Sequence, residues 1–324
     1  MSTPLVEVEH MSVRFDGTPA VYAVNDVSFT LAPGEVLGIL GESGSGKSVT
    51  LKTLLRLLPE KKARVSGKVM VDGTDVLGLT GRALADHRGG VVSMIFQDPA
   101  LALDPVYTIG SQIAESVVRH EGVPMRDAMA RALEMLELVR IPSPKRRLGN
   151  YPHEMSGGMR QRAMIALALA CKPKLLLADE PTTALDATVQ IQILLLLREL
   201  QQEMGMGVIF VTHDIGVAVE VSDRLAVMYG GSFIETGSVR DIIRDARHPY
   251  SKGLLAANLV DAVPGTQLDA IPGAPPALHA PPTGCTFAPR CALAEPLCET
   301  GPIPLWQNGD DRWARCTVAA RATP

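Results

Sequence analysis

No run of apolar residues in this 324-residue sequence approaches the roughly 20 that a membrane span requires. The longest, at 163–171 and 193–197, have the length of buried helix faces. The opening ten residues carry acids but neither a basic stretch nor an apolar one, so they do not read as a secretion signal, and a cytosolic protein is expected. An excess of positive charge is missing too. The formal net charge is -4, whereas a nucleic-acid binder usually presents a basic stripe, so no nucleic-acid partner is expected. Internal repeats are absent. Tight C-x2–4-C pairs, the usual mark of a structural zinc site, are absent as well.

What is present is ordinary for a folded chain: 46% hydrophobic and 20% charged residues exclude large-scale disorder. The length suits one main domain with an appended module. Residues 5–13 and 21–31 alternate like antiparallel strands broken by turns at Asp16-Gly17 and Pro33-Gly34. Residues 35–40 then form a short buried strand, a glycine-rich loop follows, and 47–58 carry helical apolar spacing. Further strands are expected at 67–71, 91–96, 175–178, 208–211 and 225–229, several apolar throughout as central parallel strands are. Helices are expected at 109–120, 124–139 and 157–170. The fold class is therefore α/β, with a helical insertion at about 98–170. Beyond about residue 240 the composition shifts, and 263–284 is dense in proline and reads as a linker.

Gly41-Glu42-Ser43-Gly44-Ser45-Gly46-Lys47-Ser48 fits G-x-x-x-x-G-K-[ST] between a strand and a helix, the context that motif needs. Its glycines let backbone N–H groups curl around a phosphate, the helix N-terminus favours the anion, Lys47 neutralises the β/γ oxygens, and Ser48 offers a hydroxyl to Mg²⁺, with Val49 next in the helix. A second motif fits the first. The apolar strand ending Leu177-Ala178-Asp179-Glu180 delivers two carboxylates, Asp179 suited to the Mg²⁺ shell and Glu180 to orienting the attacking water.

Met155-Ser156-Gly157-Gly158-Met159-Arg160-Gln161-Arg162, opening an apolar helix, resembles the signature of ABC ATPases. The family's other markers follow in order. Gln97 in Ile95-Phe96-Gln97-Asp98 resembles its Q-loop, Thr183-Ala184-Leu185-Asp186 its D-loop, and His213 its switch histidine. Phe15 resembles the aromatic that stacks on adenine, with Tyr22 second. The resemblance implies an ABC nucleotide-binding domain over 1–240: a phosphate-loop, RecA-like core, an antiparallel β subdomain and the helical insertion. It implies an ATPase in which Lys47, Gln97, Glu180 and His213 carry catalysis and Ser48, Gln97 and Asp179 hold Mg²⁺. ATP would contact Phe15, Gly41 to Val49, Gln97, Asp179 and Asp186, with Ser156, Gly157 and Gly158 acting on the nucleotide of a second cassette, because a signature at a helix N-terminus is a second anion site. Where many members carry Gln after Ser-Gly-Gly, this chain has Met159, which lacks an amide's hydrogen bonds.

Residues 241–324 resemble the C-terminal extension of oligopeptide and dipeptide importer ATPases of the D type, through His248-Pro249-Tyr250-Ser251, Leu254-Leu255 and the 271–278 stretch. Relatives of that type also serve nickel and glutathione uptake. The expected partners are a sister ATPase in a heterodimer, two transmembrane permease subunits and, through them, an external solute-binding protein. The expected location is peripheral, on the cytoplasmic face of the inner membrane. A non-transport ABC ATPase is the other class. It is disfavoured because Lys47 and Ser156 are only about 110 residues apart, too close for a coiled-coil insertion.

Cys285, Cys291, Cys298 and Cys316 could bind a 4Fe-4S cluster or zinc. The resemblance favours the cluster, in a structural role, pinning a tail otherwise without a core. Cys171, at the end of an apolar helix, reads as a packing residue.

Overall fold

A computed structural model describes residues 3–183, 185–257, 271–309 and 311–321. It divides into two compact units, each discontinuous in sequence. One comprises Met1–Leu5, Ala32–Glu35 and Gly78–Ile209, and the other Val6–Leu31, Val36–Leu77 and Phe210–Pro324.

The second unit opens with an antiparallel sheet. Its strands are β1 (Val6–Phe15) and β2 (Val21–Leu31), then, after β3 (Val36–Leu40), β4 (Ala63–Val71) and β5 (Thr74–Asp75), in the order β2-β1-β4-β5. Val6 and Val8 of β1 are buried, and so are Met11 and Val13, the alternation changing phase between the two pairs where the register shifts and His10 takes φ 51. Strand β3 is buried at all five positions. It pairs in parallel with a later strand of this unit, so its solid apolar run has apolar cover on both faces. The helix after the glycine loop spans Lys47–Leu54, shorter than the apolar spacing predicts. Arg56 adopts the left-handed region at φ 50 and donates its N–H to Thr53 O at 2.9 Å, which ends the helix before Leu57 and Leu58.

In the first unit, β6 (Val92–Ile95) and β7 (Leu175–Asp179) pair in parallel, Val92 opposite Leu175 through Ile95 opposite Ala178. The start of β8 (Gly207–Thr212) lies on the other side of β7. Helices at Ile109–Glu121, Met125–Leu138 and Gly157–Leu169 stand where helices are expected. The first is bounded by Thr108, whose hydroxyl accepts Ser111 N–H, and by Gly122 in the left-handed region. Cys171 is half-buried with its Sγ 3.7 Å from Ser116 Oγ, and burial pushes its thiol pKa up, as suits a packing residue.

The remaining strands belong to the second unit: β9 (Arg224–Tyr229), β10 (Ser232–Ser238), β11 (Leu305–Gln307) and β12 (Trp313–Arg315). Their order is β11-β12-β10-β9-β3, followed by the end of β8. Strands β9 and β10 form a hairpin through Gly230 and Gly231, both at positive φ. The tail therefore does not lack a core, contrary to expectation. Phe287 packs against Tyr229 and Tyr250, with ring centroids 5.2 and 5.3 Å away, inside a buried cluster that includes Leu40, Leu225 and Val227. Farther on, Trp306 is buried with Ala314, Cys316 and Ala319, while the guanidiniums of Arg247 and Arg312 lie over its ring at 4.6 and 5.1 Å. Residues 258–270, which take in the start of the proline-dense stretch, lie outside the described residues. From Ile271 the chain runs without helix or strand to residue 287. Along it, Leu278 O accepts Tyr22 N–H at 2.9 Å.

Because Phe287 is only 4% exposed and touches two buried tyrosines, Phe287→Ala should cost about 3 kcal/mol of stability, the usual loss for emptying an aromatic site. Urea or thermal unfolding of the full chain would measure it. An unchanged midpoint would mean that the tail contributes nothing to this core.

Candidate functional site

The phosphate-loop half lies in the second unit, between β3 and the Lys47–Leu54 helix. The loop is shaped by glycine where no other residue suits. A Cβ on Gly41 would collide with Met228 O, while Gly44 and Gly46 sit at φ +80 and +106. The β9–β10 turn supports it from behind, Gly231 N–H donating to Ser45 O at 3.0 Å and Asn25 N–H to Gly231 O at 2.8 Å. Lys47 is 5% exposed, and its Nζ donates to Gly41 O at 2.7 Å and Glu42 O at 2.9 Å, so the ammonium lies along the inside of the loop. Ser45 Oγ is buried without a hydrogen-bond partner among the described residues. A buried cation on backbone carbonyls, an unsatisfied hydroxyl and glycines in left-handed backbone make a cradle that fits a phosphate. Ser48 is half-buried in the first turn of the helix, followed by Val49. Phe15 closes β1, half-buried, opposite Val21 and Ala63. His213 is exposed on the turn after β8, just ahead of a helix, Ile215–Val221, whose N-cap Asp214 accepts Val217 N–H at 3.2 Å.

The carboxylate half lies in the first unit. Strand β7 is buried throughout and ends on Asp179, itself 6% exposed. Glu180 follows in the left-handed region at φ 46, a strained backbone for a residue with a Cβ. That turn swings its carboxylate off the strand, where Oε2 accepts Gln97 Nε2 at 3.2 Å and Thr183 Oγ1 at 3.1 Å. Two of the predicted catalytic residues, Gln97 and Glu180, are therefore in contact. Ser156 caps the Gly157–Leu169 helix, its hydroxyl accepting Met159 N–H at 3.3 Å. A Cβ on Gly158 would stand 3.1 Å from Val189 Cγ1, so the second signature glycine lets this helix approach the next element closely. Asp186 caps that element, the Ala187–Met204 helix, by accepting Val189 N–H at 3.0 Å. Ala184 of the predicted D-loop lies outside the described residues.

Sequence reasoning passed over three residues that brace these halves. Gln161, 1% exposed, donates its amide to Pro181 O and ties the signature helix to the chain just past Glu180. Its signal was a polar residue within an apolar helix. Thr183 holds both the backbone carbonyl and the carboxylate of Glu180. Arg290, from the tail, grips Glu42 of the phosphate loop with Nη1 to Oε2 at 2.8 Å and Nη2 to Oε1 at 3.2 Å.

The four tail cysteines lie within electrostatic reach of one another. Cys285 N–H donates to Cys298 O at 2.8 Å, and Cys298 Sγ is 3.1 Å from Thr317 Oγ1. Burial pushes the Cys285 thiol up to about 11 and raises Cys291 as well. Cys285 Sγ is 3.9 Å from Nε2 of His248. That imidazole is held far below its usual pKa, at about 3, by burial, and its Nδ1 accepts Tyr250 N–H. Yet no group of three or more His, Cys, Asp or Glu among the described residues is arranged to hold a metal ion. The donors suit a soft metal, but their side chains are not set as ligands.

A glycine-shaped anion cradle on a strand-to-helix turn, and a buried strand ending in Asp-Glu, are each features of phosphate-loop nucleoside triphosphatases. Comparison with known proteins narrows the class. Residues 24–183 match the ABC transporter family, and residues 234–298 match the oligopeptide/dipeptide transporter C-terminal region. A peptide ABC transporter ATP-binding protein from Sinorhizobium fredii is 50% identical over 298 residues, 91% of this chain and 89% of that protein. A peptide import ATP-binding protein from Brucella melitensis is 49% identical, over 97% of this chain and 95% of its own length. Among solved structures, a dimeric ATP-binding cassette in a post-hydrolysis state bound to ADP and Pi has a TM-score of 0.65 at 30% identity, covering 72% of this chain and 99% of that one. A cassette of the cbiONQ transporter complex from Clostridium perfringens also scores 0.65, at 26% identity, covering 75% and 92%. The chain belongs to the ABC transporter family of ATP-binding proteins, and it is an ATPase with the cassette fold.

Since Lys47 is the cation inside the loop, Lys47→Ala should lower the affinity for Mg-ATP by at least about a hundredfold, the scale expected for a buried charge-assisted contact to phosphate. Equilibrium titration with a fluorescent ATP analogue would read this. Unaltered binding would remove Lys47 from the site.

Proposed function

We propose that this chain is the ATP-hydrolysing subunit of a peptide importer. ATP binding would close a pair of nucleotide-binding domains and hydrolysis would reopen them, moving a permease between inward-facing and outward-facing states. The observation that carries the reading is the Glu180 carboxylate, turned off a buried strand and held by Gln97 and Thr183. A carboxylate fixed in this way can accept a proton from water and aim it. The peptide class is supported by the match to the oligopeptide/dipeptide transporter C-terminal region and by the peptide-import names of the relatives.

In this reading Lys47 neutralises the phosphates, Gly41 to Ser48 cradle them with backbone N–H groups other than that of Glu42, which the Tyr250 hydroxyl holds, Phe15 stacks on the base, and His213 contacts the γ-phosphate region. Mg²⁺ would be held by Ser48, Gln97 and Asp179 and would supply charge neutralisation of the β- and γ-oxygens. Ser156, Gly157 and Gly158 would serve the nucleotide of the second subunit, beside Asp186. The functional division falls at about residue 240, between the nucleotide-binding domain and the transporter-specific extension.

A complex with two permease subunits and a peripheral place on the cytoplasmic face of the membrane follow from the transporter reading. No helix among the described residues is long and apolar enough to cross a membrane. The first unit leaves Phe96, beside Gln97, and Val106, Tyr107 and Tyr151, along the insertion, exposed at 39%, 69%, 55% and 39%, on the surface expected to meet the permease. Pairing with a sister ATPase is favoured by Met159 and by the D-type tail. The solved cassette of the post-hydrolysis state is described simply as dimeric. The tail thiols Cys285, Cys291, Cys298 and Cys316 are read as ligands of a 4Fe-4S cluster, zinc being second, on the resemblance of the tail to the D-type extension and the lack of a tight C-x2–4-C pair.

Glu180→Gln should bind Mg-ATP normally while losing hydrolysis by about a thousandfold, in line with loss of a positioned base. Phosphate release assayed on the purified full chain is the test, and wild-type turnover in that variant would end the assignment. A second expectation concerns the thiols. Protein purified without oxygen should be brown and contain iron and sulfide, whereas a colourless preparation with stoichiometric zinc would reverse the choice of metal.

A further inference from the structure

Glu42 is the one acidic residue in the loop Gly41–Ser48, the loop assigned above to the phosphates. A carboxylate there is an obstacle, because the loop's task is to surround a polyanion with donors and positive charge, and a nearby like charge opposes that. The fold answers this from 248 residues away in sequence.

Arg290 lies in the tail between Pro289 and Cys291, and its side chain is 7% exposed. Its hydrogen bonds use the full capacity of a guanidinium. Nη1 donates to Glu42 Oε2 at 2.8 Å and to the Tyr229 hydroxyl at 3.2 Å. Nη2 donates to Glu42 Oε1 and to Ile271 O, each at 3.2 Å, and Nε donates to Pro272 O at 2.7 Å. That makes five contacts for five N–H groups. Arg290 stays charged under this burial, because a guanidinium keeps its proton in proteins and the Glu42 carboxylate lies against it. Glu42 is held equally firmly. Its N–H donates to the buried Tyr250 hydroxyl at 2.9 Å, its carbonyl accepts Lys47, and its carboxylate takes the two-pronged arginine.

We propose that Arg290 is a positioning residue of the nucleotide site: by pairing with Glu42 it cancels the loop's own negative charge and fixes the loop with its donors free for phosphate. ATP affinity then depends on a residue of the tail. The bidentate form matters, since a planar guanidinium locks a carboxylate's orientation whereas a point charge does not. The alternative role, a simple strap tying the tail to the core, would affect folding stability and leave nucleotide affinity alone.

This inference rests on the loop being the ATP site, and the test separates the two. Full-length protein is titrated calorimetrically with Mg-AMP-PNP, and each variant is also melted. The parent must bind; if it does not, the assignment of the loop fails before Arg290 is at issue. Arg290→Met should weaken binding by about tenfold, because the uncompensated Glu42 charge faces the phosphates. Arg290→Gln, which keeps amide donors for the tail carbonyls and protects folding, should weaken it similarly. Adding Glu42→Gln to Arg290→Met should recover most of that loss, since the repelling charge is gone even though the strap is still cut. Parent-like affinity in Arg290→Gln, or no recovery in the double variant, would overturn the proposal.

Discussion

A loop proposed to bind an anion through its own backbone must keep most of those N–H groups from bonding within the loop. Everything around residues 41–48 follows from that constraint. The donors must face inward, so the chain takes left-handed turns at Gly44 and Gly46. A loop so wound has few internal bonds and must be held from outside. Here the β9–β10 turn holds its back, the Tyr250 hydroxyl holds the Glu42 amide, and Arg290 holds the Glu42 side chain. Lys47 fills the cradle meanwhile, its ammonium resting on two carbonyls. A phosphate arriving there exchanges neutral acceptors for charged ones, which the ammonium prefers.

The carboxylate half solves a related problem by different means. An acid proposed to aim a water cannot be left on a freely rotating side chain. Strand β7 delivers Asp179 and Glu180 from a fully apolar run, and the left-handed backbone at Glu180 turns the second acid away from the first. Gln97 and Thr183 then take the same carboxylate oxygen, while Gln161 secures the carbonyl of the next residue. The Gly157–Leu169 helix is thus bonded to the chain immediately beyond Glu180, the acid proposed to act in hydrolysis. A shift of that helix and a shift of the acid are mechanically linked within the unit.

Local motifs were legible because their chemistry is local. Glycines at 41, 44 and 46 beside Lys47, and two acids after an apolar strand, carry their purpose in adjacent positions, and strands β1, β2, β3 and β7 follow from alternation or from solid apolar runs. The end of the first helix was misread because leucine spacing continues through Leu57 and Leu58, whereas Arg56 breaks the backbone. Strands β10, β11 and β12 were not anticipated, since three-residue strands show no period and β10 mixes Glu235 and Thr236 into its buried face. Glu235 is tolerated there because it accepts the N–H groups of Arg247 and His248. Arg290 was illegible for a different reason: it sits in irregular chain between a proline and a cysteine, and its partner is nearly the whole sequence away. The tail's cysteines drew attention to chemistry, and its packing on Tyr229 and Tyr250 went unseen.

The hairpin of β11 and β12 has one more consequence. Strand β12 pairs with Glu235 and Thr236 of β10, so the hairpin lies along what would otherwise be the open edge of this sheet. An unpaired edge with apolar neighbours such as Phe233 and Ile234 invites strands from other molecules. Here the outermost strand is β11, three residues long and exposed at both ends, too short to template such pairing. The tail thus ends this sheet on a strand of three residues, where β10 would otherwise leave seven.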